Sequence, residues 1–185
     1  EKYNLNLADY NNLYDWSISS PEDFWESMWN FGHIISSESY TQICDDIHKM
    51  PGATWFSGVK LNFAENLLRF KDDNIAIKFY GENQVYRELT YSQLYNEVET
   101  FATALRNMGL QKGDRVAGYI PNIPEAIIAM LATSSIGAIW SSSSPDFGIK
   151  GALDRFSQIE PKVVIAADGY YFKGKSFDSI KKLRG

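Results

Sequence analysis

Two clusters in the sequence carry residue types capable of chemistry. The first is Ser141-Ser142-Ser143-Ser144, four hydroxyls in a row, followed by Pro145 and Asp146. A serine hydroxyl becomes a nucleophile only when a base takes its proton. No Gly-x-Ser-x-Gly elbow surrounds the run, and both histidines, His33 and His48, lie in the N-terminal third. The other use of such a run is to leave backbone N–H and C=O groups free for a ligand. Ala138-Ile139-Trp140 ahead of it reads as a strand, so the serines are expected to form a loop at a strand's end. Ligands of open α/β sheets sit at such ends, although most strand–helix loops are only connections. The second cluster is Phe172-Lys173-Gly174-Lys175. Gly174 lets a backbone approach a phosphate, and the two ammonium groups supply charge. Two solvated surface lysines are the plainer reading of the same residues.

Other candidates are weaker. Asp45, Asp46 and His48 fall on an expected helix over 39–50 and are metal-ligating types, but matching ligands elsewhere are missing, which favours a solvated face. Asn62 and Asn66 stand one helical turn apart, a spacing that also serves to cap or pin a loop. The strand expected over 115–120 is followed by Pro-Asn-Ile-Pro-Glu, not by a dinucleotide-binding glycine turn. No phosphate loop ending in Gly-Lys-Ser or Gly-Lys-Thr occurs.

The elements that must position these clusters follow from periodicity. Residues 1–19 show no clear period and read as loop. Ser20-Pro21-Glu22-Asp23 has the form of a helix start, and Phe24, Trp25, Met28, Trp29 and Phe31 follow at helical intervals up to Gly32. A turn is expected at Ser57-Gly58 and a short helix from Asn62. Strands over 75–80 and 84–89 around Gly81-Glu82-Asn83 make a hairpin. Thr90 and Gln93 have capping-box spacing before a helix whose inner face is Leu94, Val98, Phe101, Ala102, Leu105 and Met108. Asn122 is expected to cap a largely apolar helix beginning at Pro124. A helix over 149–159, with Leu153, Phe156 and Ile159 inward, precedes a buried strand over 162–166. Helices alternating with short apolar strands predict an α/β fold, a parallel sheet with helices on both faces. A helical, aromatic N-terminal extension (1–73) is expected to precede this α/β part (74–185).

Bulk properties narrow the function classes. A chain of 185 residues buries about 70% of its surface when folded. A net charge of -5 with no basic stripe argues against nucleic-acid binding. Cys44 is the single cysteine, which excludes an internal disulfide and fits a reducing compartment. The apolar run 126–132 is too short to span a bilayer, and no charged-then-apolar leader opens the chain, so a cytoplasmic protein is expected. The start at Glu1 and the end in Lys181-Lys182-Leu183-Arg184-Gly185 read as those of a piece of a longer protein.

Longer runs carry a resemblance. Leu89-Thr90-Tyr91-Ser92-Gln93-Leu94, Gly113-Asp114-Arg115-Val116, Pro121-Asn122 with Glu125, and Gly137-Ala138 resemble the N-terminal signature of adenylate-forming acyl-CoA synthetases. Trp55-Phe56 with Leu61-Asn62 and Asn66-Leu67-Leu68 resembles the extension of the acetyl-, propionyl- and acetoacetyl-CoA synthetase branch. The runs 61–69, 141–148 and 153–159 are similar to the acetoacetyl members of that branch. The resemblance implies a two-step ligase. Acetoacetate attacks the α-phosphate of ATP, with Mg²⁺, to give an adenylate and pyrophosphate, and the thiol of coenzyme A then displaces AMP. The Ser/Thr/Gly-rich triphosphate loop and the C-terminal lysine that such enzymes use are not among these residues, so the resemblance transfers no catalytic residue and no metal ligand. The chain alone is expected to be inactive and to need the remainder of the enzyme. The resemblance does imply coenzyme A contacts at Ser144, Pro145 and Asp146 and at Phe172, Lys173, Gly174 and Lys175. Asp146 departs from the acetyl branch and would repel a phosphate unless it faces away, and Phe172 stands where that branch has an arginine. A non-catalytic binding module and a synthetase for another short acid are the alternatives.

Overall fold

The computed structural model describes residue 3, residues 5–82 and residues 85–183. The expectations that fall on Glu1, Asn83, Gln84, Arg184 and Gly185 lie outside the described residues. The chain divides into two compact units, Glu1–Asn62 and Phe63–Gly185.

The first unit is built from helices α1 (Tyr10–Ser19) and α2 (Pro21–Phe31) and the short antiparallel strands β1 (Gln42–Cys44) and β2 (Trp55–Ser57). The loop expected over 1–19 is corrected by α1. The Asp9 carboxylate accepts from Asn12 N at 2.9 Å and caps a helix whose apolar period is too weak to read. Pro21 does occupy the first turn of α2, but Ser20 makes no side-chain cap there. The helix expected over 39–50 is absent. Gln42–Cys44 pairs with Trp55–Ser57 instead, and Asp45 and Asp46 bind nearby backbone N–H groups, which holds the following segment in turns. Rings supply much of the packing here: Trp29 lies 4.8 Å from Phe56 and 5.5 Å from Tyr40, centroid to centroid.

The second unit opens with α3 (Phe63–Leu67) and a hairpin of β3 (Ile75–Tyr80) and β4 (Tyr86–Thr90). The capping box forms as its spacing predicts: Thr90 Oγ1 accepts from Gln93 N, and Gln93 Oε1 accepts from Thr90 N. It starts α4 (Tyr91–Asn107), which buries Leu94, Val98, Ala102 and Leu105. Met108, expected on that face, is the C-cap residue and 64% exposed, because the helix ends before its side chain can turn inward.

Strand β5 (Arg115–Tyr119), helix α5 (Pro124–Ser135), strand β6 (Ile139–Ser143), helix α6 (Ile149–Ile159) and strand β7 (Val163–Ala166) follow. The sheet order is β6-β5-β7, and both pairings are parallel. Val116 joins the core formed with α4 and α5, whereas Tyr119 meets Phe156 of α6 edge-on. Alternate residues of a strand face opposite sides, so β5 is covered by helices on both faces, the predicted architecture.

Several local expectations are corrected. Ile123, not Asn122, is the N-cap residue of α5, without a side-chain bond, because Pro124 already fits the first turn. Leu153 points outward at 59% exposure while Phe156 and Ile159 are half-buried, since α6 lies against the sheet over a narrow stripe. Strand β7 is half-buried with Val164 exposed, as befits the sheet's edge. Above all, three of the four serines belong to β6: Ser141, Ser142 and Ser143 lie opposite Ala117, Gly118 and Tyr119. Their backbone groups are used by the sheet, and the loop begins only at Ser144. The segment that carries the second cluster is also regular. Strands β8 (Gly169–Phe172) and β9 (Lys175–Asp178) form a hairpin, and α7 (Ile180–Leu183) follows.

Candidate functional site at the strand ends

The strand-end loop and the basic hairpin, read separately in the sequence, meet. Tyr119, the last residue of β5, is 3% exposed, and its hydroxyl lies 2.8 Å from Pro145 O and 2.5 Å from Phe147 O. Its single proton is shared between two carbonyls of the loop after β6. Tyr170 of β8 donates to the same Pro145 carbonyl at 3.3 Å. One loop is thus clamped by two phenols from two different strands. Pro145 is fully buried beneath them.

Asp146 sets the electrostatics. Ser144 Oγ donates to Asp146 Oδ2 at 3.1 Å, and Asp146 N donates to Ser144 Oγ at 3.2 Å, a local turn that needs no general base. Loss of hydration pushes the Tyr170 phenol up to about 12, and the hydrogen bond to Asp146 adds to the shift. Burial, then the Asp146 charge, raises Tyr119 as well. Both phenols therefore stay protonated at neutral pH and remain donors. The Asp146 charge is directed at these hydroxyls and at Ser144. Beyond the loop, the Arg155 guanidinium stacks 4.0 Å from the centre of the Phe147 ring.

The tip of the basic hairpin is a two-residue turn. Phe172 pairs with Lys175, and the intervening Lys173 and Gly174 have φ of 52° and 72°. Two successive positive φ values match the right-handed strand twist in a type I′ turn, and the glycine makes the second one free of strain. The outward N–H groups of Lys173 and Gly174 both donate to the Glu82 carboxylate, at 3.1 Å to Oε1 and 3.0 Å to Oε2. The Lys173 ammonium lies 5.1 Å from the Phe172 ring centre. Among the described residues the Lys175 side chain has no hydrogen bond or ion pair, and it is exposed. The hairpin thus offers two cations and a pair of amides suited to an anion, with those amides held by a carboxylate.

Between the β3–β4 hairpin, the turn after β5 and strand β8 lies a cavity of about 360 Å³, lined by Phe79, Tyr80, Glu82, Asn122, Tyr170 and Tyr171. A neighbouring cavity of about 350 Å³ is bordered by Asn122, Met130, Trp140 and Ser142, Ser143 and Ser144. Ser143 Oγ is buried there without a partner among the described residues. The structure thus gathers Ser144, Pro145 and Asp146 near Tyr170, on the hairpin that carries Phe172, Lys173, Gly174 and Lys175. Tyr119, Tyr170 and Glu82 were missed in the sequence. The signal for Tyr119 was its place at the end of an apolar strand; Glu82 gave none, because its partners lie 91 and 92 residues away.

Asp45, Asp46 and His48 do not form a metal cluster. Asp45 Oδ2 takes Lys49 at 2.6 Å and Oδ1 takes the N–H groups of Asp46 and Thr54, which lowers its carboxyl to about 2. Among the described residues no group of three or more His, Cys, Asp or Glu side chains is arranged to hold a metal, and no helix is long and apolar enough to cross a membrane.

A parallel sheet wrapped by helices, with ligand-type loops at its carboxyl ends, defines the class. Residues 63–184 match the family described as AMP-binding enzyme, and the chain belongs to that family. Residues 10–67 match the acetyl-coenzyme A synthetase N-terminus. Among its relatives, an acetoacetyl-CoA synthetase of Danio rerio is 45% identical over 188 residues, 99% of this chain and 28% of that protein. An acetoacetyl-coenzyme A synthetase of Rhizobium meliloti (strain 1021) is 46% identical over 184 residues, 100% of this chain and 28% of that protein. The solved acetoacetyl-CoA synthetase from Streptomyces lividans superposes with a TM-score of 0.89 at 38% identity, covering 96% of this chain and 28% of that one. The chain spans little more than a quarter of the length of these relatives.

Proposed function

We propose that the chain is the N-terminal part of an acetoacetate–CoA ligase, which activates acetoacetate with ATP and Mg²⁺ and transfers the acyl group to coenzyme A. The observation that carries this reading is 45% identity to an acetoacetyl-CoA synthetase across 99% of the chain. The working division places the N-terminal extension at 1–73 and the first α/β part of the AMP-binding domain at 74–185, just ahead of β3.

Within that reading, the loop of Ser144, Pro145 and Asp146 and the hairpin tip of Phe172, Lys173, Gly174 and Lys175 border the coenzyme A path. Bound coenzyme A supplies the thiol that accepts the acyl group. The residues fit its anionic portion: Lys175 is an unpaired cation among the described residues, and the Asp146 charge is turned toward Ser144 and Tyr170. Tyr119 and Tyr170 hold the loop so that it keeps one shape when a ligand arrives. No residue here is assigned to the ATP or Mg²⁺ sites.

The test uses the complete enzyme with a panel of short acids. Acetoacetate-dependent pyrophosphate release and thioester formation, with higher kcat/KM than for the other acids, are expected; a preference for another acid would displace the substrate assignment. The 185-residue chain alone is expected to release no pyrophosphate. Lys175→Glu in the complete enzyme is expected to raise the KM for coenzyme A more than that for ATP. Equal changes in both would remove the hairpin from the coenzyme A path.

A further inference from the structure

The outward amides of a type I′ turn are normally left to water. Here both are satisfied by one side chain from the far end of a different hairpin. Glu82 follows β3, and its two oxygens reach Lys173 N and Gly174 N at 3.1 and 3.0 Å. A carboxylate bridging two adjacent N–H groups is held as a phosphate's oxygens would be. The amides belong to Lys173 and Gly174, with Lys175 next in the chain, and the 360 Å³ cavity has Glu82 in its wall beside Tyr170 and Tyr171. An incoming anion drawn by Lys173 and Lys175 therefore meets amides that already hold a negative group.

We propose that Glu82 is a built-in competitor for the phosphate seat of the β8–β9 turn: it occupies the Lys173 and Gly174 amides until a phosphate-bearing ligand displaces it. This rests on the proposed role of the hairpin in taking the phosphates of coenzyme A. It goes further in making Glu82, a residue with no expected contact to substrate, a determinant of how tightly that ligand is held. No bond is made or broken. The carboxylate exchanges two turn amides for water, and the ligand's oxygens take its place.

Displacement has a cost set by the charge of Glu82. Two like charges about 4 Å apart in water repel by an amount that corresponds to roughly a fivefold change in affinity. A neutral amide of the same size removes that repulsion. It also cannot keep the grip of one oxygen on each N–H, because its second terminal atom is a donor.

The test compares the complete enzyme with its Glu82→Gln and Glu82→Ala variants. Hydrogen exchange of a peptide covering 169–178, read by mass spectrometry without ligand, is expected to quicken in both variants. Coenzyme A is expected to slow it in all three proteins. The KM for coenzyme A is expected to fall about fivefold in Glu82→Gln while that for ATP holds. Unchanged exchange without ligand would overturn the contact. Quicker exchange with an unchanged or raised KM for coenzyme A would overturn the competition and leave Glu82 a structural tie. If Lys175→Glu also leaves the KM for coenzyme A unaltered, the hairpin's role in coenzyme A binding has failed, a result separable from the ligand-free exchange. A variant that loses the hairpin altogether would quicken exchange across all of β8 and β9 and fail to recover it with coenzyme A, which also counts against the proposal.

Discussion

Gly118 shows how little space the centre of the sheet leaves. A Cβ built there would lie 2.6 Å from Trp140 Cζ2 and Cη2 on the neighbouring strand. The Trp140 indole, half-buried against the core, is a rigid ring and gives way less easily than the end of a lysine. Gly118→Ala is expected to destabilise the protein by about 1–3 kcal/mol, as overpacking does. Urea unfolding should show a lower midpoint with an unchanged slope. Four residues ahead, the Asp114 carboxyl is held below its usual range, first by the hydrogen bond from Lys162 at 2.7 Å and then by Gln111 N. It ties the turn before β5 to the start of β7. Among the polar residues, Tyr119 does the most positioning for the candidate site. Tyr119→Phe keeps the ring against Phe156 and removes the donor shared by Pro145 O and Phe147 O. It is expected to quicken hydrogen exchange across 144–148 and to cost about 1 kcal/mol, the loss of the hydrogen bond at Phe147 O while Tyr170 still donates to Pro145 O.

At the scale of elements, α4 is the clearest case of a sequence that declares its structure. A capping box, apolar residues at helical spacing and Gly109 after the end all agree, and each is local. Thr90→Ala breaks one half of the box and is expected to cost about 1 kcal/mol, measurable by thermal or urea unfolding. The serine run was misjudged because its decisive partner is remote. Short hydroxyl side chains look like loop, but Ala117, Gly118 and Tyr119 offer a full ladder of parallel hydrogen bonds, and tertiary pairing overrides local preference. The segment 39–50 failed for the same reason, since β1 is defined only by β2 and by the N–H groups that Asp45 and Asp46 collect. Of the site, the two loops were legible through the resemblance and through glycine and lysine chemistry. Their clamp and the carboxylate on the hairpin tip were not, because tyrosine hydroxyls and Glu82 act over long sequence separations.

At the scale of the whole molecule, acid should act on each compact unit through a different carboxylate. In the first unit, Asp45 lies at about 2 when folded against 3.8 for the free group, because Lys49 and the N–H groups of Thr54 and Asp46 favour its charged form. In the second, Asp114 is lowered by Lys162 and Gln111. A group whose folded pKa is depressed stabilises the native state above its unfolded pKa and ceases to do so as pH falls through its folded value. Wild type is therefore expected to exceed Asp45→Asn in stability at pH 7, with the gap closing between pH 3.8 and about 2. The Asp45–Lys49 pair is exposed, so the gap should also shrink in high salt. Four of the five tryptophans, Trp16, Trp25, Trp29 and Trp55, belong to the first unit, so intrinsic fluorescence reports mainly on its unfolding. Asp114→Asn should leave that signal's pH dependence unaltered while lowering the stability of the second unit, followed by hydrogen exchange of β5 and β7. If Asp45→Asn and Asp114→Asn shift both signals alike, the two units unfold as one cooperative body and the separate assignment of the acid sensitivity is wrong.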